Sequence, residues 1–277
     1  MARKRRGATL RPRPKAGTGP ARARAARATA PGAARLLLYA LVGLCVLVAA
    51  DFLYQVIRKP TELFFPVSGV LYKTPAESWR AYGHLFRRYS TPLIDAQLLA
   101  ALAQVEASGN PLVRTYWRWS WSARLIDMYR PASSAVGMYQ ITDPTFAEAG
   151  DYCIHDHQLV HTGAWDDWHS CWFNRLYLRV LPGDAVQLTA AYLDLKVAGI
   201  LSNIGRHPPN PVQIRHLAAL VHLCGAGAAS SYARRGFQFT PGQRCGDHDP
   251  REYLARVDAA RALFVQLAAR EQPVGAQ

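Results

Sequence analysis

"LLAALAQVEASGNP", residues 98–111, decides how this chain is read. Leu99, Leu102 and Glu106 stand at i, i+3 and i+7, so a helix carries them on one face. That face is otherwise apolar and is expected to point at a core, and "SGNP" stops the helix just beyond the carboxylate. A glutamate there faces the unfavourable end of the helix dipole and is partly withdrawn from water. Both conditions favour its protonated form. Two readings compete: a helix-end carboxylate that snorkels to solvent, and a general acid that keeps its proton near neutral pH.

Towards the N-terminus the charge is unevenly spread. The 277 residues carry a formal net charge of +14. Residues 1–35 hold eleven Lys or Arg and no acid, which leaves 22 basic and 19 acidic residues in 36–277. The basic excess therefore belongs to a tail rich in Arg, Ala, Pro and Gly, which reads as disordered. A nucleic-acid-binding arm would carry such charge, but the stretch that follows favours another role, and no nucleic-acid partner is expected. "LLLYALVGLCVLVAA", Leu36 to Ala50, is uninterruptedly apolar, and "DFLYQVI" extends it to Ile57. Those residues, 36–57, span about 33 Å as a helix, enough to cross a bilayer. With eleven positive charges before it, the tail is expected in the cytoplasm and the rest in the periplasm, held at the inner membrane by a single-pass signal anchor. A signal peptide cut after Ala50 competes with the anchor; either way the remainder is exported.

The cysteines agree with export. Cys45 lies in the apolar run, and Cys153, Cys171, Cys224 and Cys245 form an even set beyond it. Proximity in sequence favours the pairs Cys153–Cys171 and Cys224–Cys245.

Residues 58–90 read as a juxtamembrane connector with one helix over 76–88, residues 91–270 as the main domain, and 271–277 as a tail. Within the domain, Thr91-Pro92, Asp143-Pro144, Asn210-Pro211 and Asp249-Pro250 each put a capping residue before a proline at the first helical position. Asp249 with Glu252 fits a capping box, and Asp184 opens a further helix. Helices are expected at 92–108, 144–149, 185–204, 211–223 and 250–270. "RTYWRWSW" alternates like a strand, and "AVGMYQI" suits a short strand or turn. The domain is mainly α.

Around Glu106 the sequence resembles the catalytic core of the soluble-lytic-transglycosylase-like family, related to goose-type lysozymes. In the first motif Glu106, Gly109, Asn110 and Pro111 match, with Ala107 where serine is usual. In the second, "AVGMYQITDPTF", Gly137, Met138, Gln140 and Ile141 match, with Tyr139 in place of methionine. "VHLCGAG" puts His222 at a tyrosine position and Gly225 at the glycine, while Leu223 replaces an asparagine. "DPREYLARV" supplies Tyr253. The resemblance, over residues 91–265, implies a lysozyme-like α+β fold and cleavage of peptidoglycan glycan strands between N-acetylmuramic acid and N-acetylglucosamine. It implies Glu106 as the catalytic residue, a 1,6-anhydro product, and no metal or cofactor. Gln140 and the backbone near Met138 would position the sugar, and Tyr253 would orient Glu106 or line its cleft. Gly137 and His222 join these as expected substrate contacts. A goose-type hydrolase would need a second carboxylate, for which Asp127, Asp143 and Glu148 are nearest, Asp143 being committed to capping. A degenerate wall-binding or assembly protein is the reading from another class. The anchor also permits a partner in a secretion or conjugation machine that opens the wall locally.

Two further clusters stay open in the sequence. Tyr116, Trp117, Trp119 and Trp121 offer either a stacking platform for sugar rings or the packing of an inserted hairpin. Alternation sends Trp117, Trp119 and Trp121 to one side and Tyr116 to the other. His155, His157, His161 and His169 cluster with Cys153 and Cys171, but a disulfide-closed loop is expected there rather than zinc.

Overall fold

The computed structural model describes residues 31–113, 115–121, 129–161, 171, 179–204 and 208–271. The protein is mainly helical. Two units are distinguished, one ending at Val48 and the other running from Ala49. Of the first, the described part is the beginning of α1, Pro31–Arg58, all of whose described residues up to Ala50 are exposed. Gly32–Ile57 is long and apolar enough to cross a membrane. A 3-10 turn, Pro60–Phe64, and the short α2, Phe65–Ser68, follow.

The second unit is built around α4, Ala96–Ala107. Six consecutive residues, Leu98 to Ala103, are 0% exposed. Successive helical positions turn by 100°, so six buried in a row leave no solvent face. The expectation of one core-facing stripe is therefore corrected: α4 is the centre of the core, and its alanines let neighbours approach closely. Against it pack α3, Pro75–Arg88, with Trp79 and Phe86, and α8, Pro250–Glu271, with Leu254, Val257 and Phe264. Trp79 lies 6.2 Å from Phe86 and 5.8 Å from Phe264, ring to ring. The connector read over 58–90 thus contributes directly to the core. α6, Pro182–Leu201, and α7, Pro211–Arg234, close the remaining sides with Val186, Leu193, Leu217 and Val221. α5, Asp143–Ala149, packs on α6.

α4 is clamped to α8 at both ends. At its start Asp95 caps the Leu98 N–H at 2.7 Å and also accepts from Arg261, Nη2 to Oδ2 being 2.7 Å. At its end Tyr253 reaches Glu106. Positions 95 and 106 thus meet 261 and 253, so the two helices run antiparallel.

Prolines start helices as expected, with local corrections. Asn210 with Gln213, and Thr74 with Glu77, form capping boxes. Asp249 Oδ1 accepts the Arg251 N–H at 2.8 Å. Thr142 rather than Asp143 caps α5, and Leu181 rather than Asp184 precedes the first residue of α6. Thr91 opens no helix. Its hydroxyl accepts from the Leu93 and Ile94 N–H groups and donates to buried Asp194 of α6 at 2.5 Å. That pairing, formed across more than a hundred residues, outweighs its local capping preference.

β-strands are confined to two antiparallel hairpins among the described residues, with isolated bridges at Val136–Ile141 and Cys245–His248. β1, Trp117–Trp119, pairs with β2, Tyr129–Pro131, in the register Trp117↔Pro131, Arg118↔Arg130, Trp119↔Tyr129. β3, Tyr152–His155, pairs with β4, Gln158–His161, through a two-residue turn in which Asp156 and His157 both have positive φ, 47° and 63°. Glycine or asparagine normally marks such turns, which hid this one in the sequence. The disulfides are Cys153–Cys171 and Cys224–Cys245, Cα atoms 5.4 and 5.2 Å apart, as proximity favoured.

Burial raises the pKa of Asp194 above the ordinary carboxylate value, although the Thr91 hydroxyl partly opposes this. A carboxyl whose folded pKa is raised favours the fold most below its unfolded pKa, and that advantage is lost as pH rises through the folded value. A carboxamide in its place would accept from Thr91 without charge at any pH. We predict that the melting temperature of Asp194→Asn, relative to the parent, increases from pH 4 to pH 7; thermal unfolding across that range checks it, and a decrease contradicts it.

Candidate active site

Glu106 occupies the last turn of α4, its side chain 18% exposed. The helix stops because Ser108 and Gly109 take positive φ, 48° and 64°. Their N–H groups close back on the Gln104 and Ala103 carbonyls at 2.9 and 3.1 Å. Asn110 then turns wholly inward, its Nδ2 donating to the Ser68 carbonyl at 2.5 Å and its Oδ1 accepting from the Leu112 N–H at 2.9 Å. The residues after Glu106 thus hold its backbone rather than face a ligand.

Tyr253, in the first turn of α8 and 2% exposed, donates its hydroxyl to Glu106 Oε1 at 2.5 Å. Burial, and then the charge of Glu106, push the Tyr253 phenol well above its ordinary 10. It therefore stays a donor throughout the neutral range. His222 Nε2 lies 3.6 Å from the same carboxylate oxygen, too far for a direct hydrogen bond. Just past His222, α7 is interrupted at Gly225, whose φ and ψ are 79° and 165°. The Cys224–Cys245 bridge pins this interruption to the loop before α8. His222 and Tyr253 are thereby held near one carboxyl from two helices. Glu106 Oε2 has no protein partner among the described residues.

The "AVGMYQI" stretch is a tight turn rather than a strand. Val136 and Ile141 exchange backbone hydrogen bonds at 3.1 and 3.0 Å. The Gln140 N–H and Nε2 both donate to the Gly137 carbonyl, at 3.1 and 2.8 Å. Met138 and Tyr139 are fully buried, and the Tyr139 hydroxyl donates to the Leu99 carbonyl at 3.0 Å. The side chain of Met138 is thus a core residue. Gly137 has φ 79°, and a Cβ there would overlap the Arg179 carbonyl oxygen. Only glycine satisfies both conditions.

A cavity of about 230 Å³ opens beside this turn, lined by Gln140, Thr142, Thr145, Thr189, Tyr192 and His222 among others. The motifs read in the sequence contain Tyr139, Gln140, Ile141, His222 and Gly225 of this lining, while none of them singles out Thr189 and Tyr192 on α6. Thr189 and Tyr192 stand at i and i+3 on a largely apolar helix, the same kind of signal that pointed to Glu106. The Thr142, Thr145, Thr189 and Tyr192 hydroxyls of this lining come from the cap and first turn of α5 and from α6.

The other candidates lie apart from this cavity or outside the described residues. Asp143 is ion-paired with Arg179 at 2.8 Å, and Glu148 with Lys196. Asp127 and His169 fall outside the described residues. Cys153 and Cys171 are joined to each other and offer no thiolate to a metal. His157 Nδ1–H donates to the Ser90 carbonyl at 2.8 Å. Trp117 and Trp119 sit on β1 and line no part of the cavity.

Chemically, the arrangement offers one carboxyl with one oxygen fixed by Tyr253 and the other without a protein partner among the described residues, 3.6 Å from His222, which lines a cavity of mixed polar and apolar walls. It suits proton transfer to and from a polyhydroxylated ligand. We predict that Gly137→Ala destabilises the fold by roughly 2–4 kcal/mol, the sum of a positive-φ penalty and a backbone clash. Gly236→Ala, at φ 69° with open space around it, should cost about 1 kcal/mol. Denaturant melts of both variants check this, and equal losses would contradict the clash. Compared with protein-family models and with curated proteins, the chain matches none, so its function is argued from this geometry.

Proposed function

We propose that the protein is a membrane-anchored peptidoglycan lytic transglycosylase with a lysozyme-like domain in the periplasm. The observation that carries this reading is the Glu106 carboxyl, held at Oε1 by the buried Tyr253 hydroxyl and lying 3.6 Å from His222, which lines the neighbouring cavity. Glu106 first gives its proton to the glycosidic oxygen between N-acetylmuramic acid and N-acetylglucosamine, and that C–O bond breaks. The carboxylate then takes the proton of the muramic C6 hydroxyl, whose oxygen bonds to C1 and closes a 1,6-anhydro ring. The acid is regenerated and no water is consumed.

This cycle needs one carboxyl, whereas hydrolysis with a general base or nucleophile needs two. Of the acids weighed for the second role, Asp143 and Glu148 are engaged in ion pairs, which supports the single-carboxyl reading. Gln140 and His222 line the cavity where the sugar would lie and would orient it. α1 supports anchoring by its length and composition, and the basic tail supports a cytoplasmic N-terminus.

Mass spectrometry of fragments released from purified sacculi by the full-length chain in detergent tests the reading. Products one water lighter than reducing muropeptides are expected, with release falling about 10²–10⁴-fold in Glu106→Gln. Reducing ends would make the protein a hydrolase. Substantial lysis by Glu106→Gln, or no fragments from the parent, would overturn the assignment.

A further inference from the structure

The β1–β2 hairpin has two chemically distinct faces. Alternation brings Trp117, Trp119 and Tyr129 together, with ring centroids 5.2 and 4.9 Å from Tyr129. Phe52 extends the row, stacked on Trp117 at 6.1 Å, and Phe52 belongs to the apolar run that ends at Ile57. Trp117 also donates its indole N–H to Glu62 Oε2 at 2.8 Å. Its stacking partner is thus Phe52 and its donor is taken by Glu62, which disfavours a sugar-stacking role for Trp117. Trp119 and Trp121 remain 74% and 97% exposed. An indole row that begins on an apolar helix and runs out into the open matches the aromatic layer found at membrane surfaces.

The opposite face is cationic. Arg118 and Arg130 stand directly across the ladder from each other, where like charges repel. Neither guanidinium makes an ion pair among the described residues. They line a cavity of about 260 Å³ together with Lys59, Arg179, Ser133 and Asp143. Asp143 is engaged by Arg179 at 2.8 Å, and Lys59 lies 3.4 Å from Glu62. Lys59 follows the apolar run by two residues and is itself 6% exposed. Burial lowers its pKa from the ordinary 10.5, with Glu62 opposing the shift and the nearby Arg179 charge adding to it. Four cations and Asp143 thus line a recess at the end of the apolar helix, with Glu62 paired to Lys59 behind it, leaving a net positive charge.

We propose that this recess binds the phosphate of an anionic phospholipid head group, while the aromatic row of the hairpin lies in the interfacial layer of the same leaflet. The inference rests on the reading that α1 crosses the membrane. A lipid fits better than a free anion because the apolar and the cationic face belong to one short hairpin at the point where the apolar run ends. The hairpin then fixes the orientation of the catalytic domain over the bilayer, which the single helix alone leaves free to rotate.

Native mass spectrometry of the full-length chain in detergent, titrated with phosphatidylglycerol or with phosphatidylcholine of matched acyl chains, tests this. Retention of phosphatidylglycerol is expected at about tenfold lower lipid concentration. The double variant R118Q/R130Q should lose the preference and keep its melting temperature, and R118K/R130K should retain it. Equal retention of the two lipids, or a preference that survives R118Q/R130Q, would overturn the proposal. Displacement of phosphatidylglycerol by millimolar inorganic phosphate would assign the recess to a free anion and likewise overturn it. Extraction of the chain from membranes by alkaline carbonate would remove the anchor and this proposal together. A carbonate-resistant chain without head-group preference would remove this proposal alone.

Discussion

The antiparallel seat of α4 on α8 governs the rest of the molecule. The buried run of α4 has no solvent face, and polar contacts towards its ends fix its register, Gln104 contributing by accepting from the Ser78 hydroxyl and donating to the Lys73 carbonyl. Asp95 and Arg261 hold one end, and Glu106 and Tyr253 hold the other. Between them the packing of Leu99, Leu102, Val257 and Phe264 is apolar and non-directional. The same hydrogen bond that ties α4 to α8 therefore also orients the Glu106 carboxyl, which lies 3.6 Å from His222 of the cavity wall. Stability and site geometry are coupled through a single pair of side chains.

This coupling explains why so much of the site was legible in sequence. Glu106 stood out because its position follows a run that can only be buried. Tyr253 stood out only through the resemblance; nothing in the spacing of "DPREYLARV" distinguishes it from other aromatic core residues. The proline-initiated helices were legible because capping is local, as at Asn210. Thr91 was misread because its hydroxyl is taken by Asp194, a partner no local pattern reveals. The turn at Asp156 and His157 uses residues that rarely adopt positive φ together, and the segment before Ser90 looked like a connector because its apolar residues are few and widely spaced. Trp79 and Phe86, at i and i+7, nonetheless place α3 in the core.

The aromatic segment shows the same limit from the other side. Alternation correctly grouped Trp117 with Trp119, but spacing cannot say what a grouped face meets. The answer lies in Phe52, some sixty residues earlier, which joins the row to the apolar helix. The second unit thus carries a cavity lined by His222, 3.6 Å from Glu106, and a cationic recess beside the end of α1. Under the proposed function the two would act together, since a tether limits reach and its orientation decides which glycan strands the cavity can meet.

The central claim is that Tyr253 holds Glu106 in the pose that moves the proton. It is tested most directly by comparing fragment release and sacculus binding for Tyr253→Phe and the parent. Loss of one hydrogen bond to a charged group is worth about 1.5–3 kcal/mol. Turnover is therefore expected to fall roughly ten- to a hundredfold, with sacculus binding and product mass unchanged. Release at the parental rate by a correctly folded Tyr253→Phe would show that the carboxyl needs no such support, and would contradict the account.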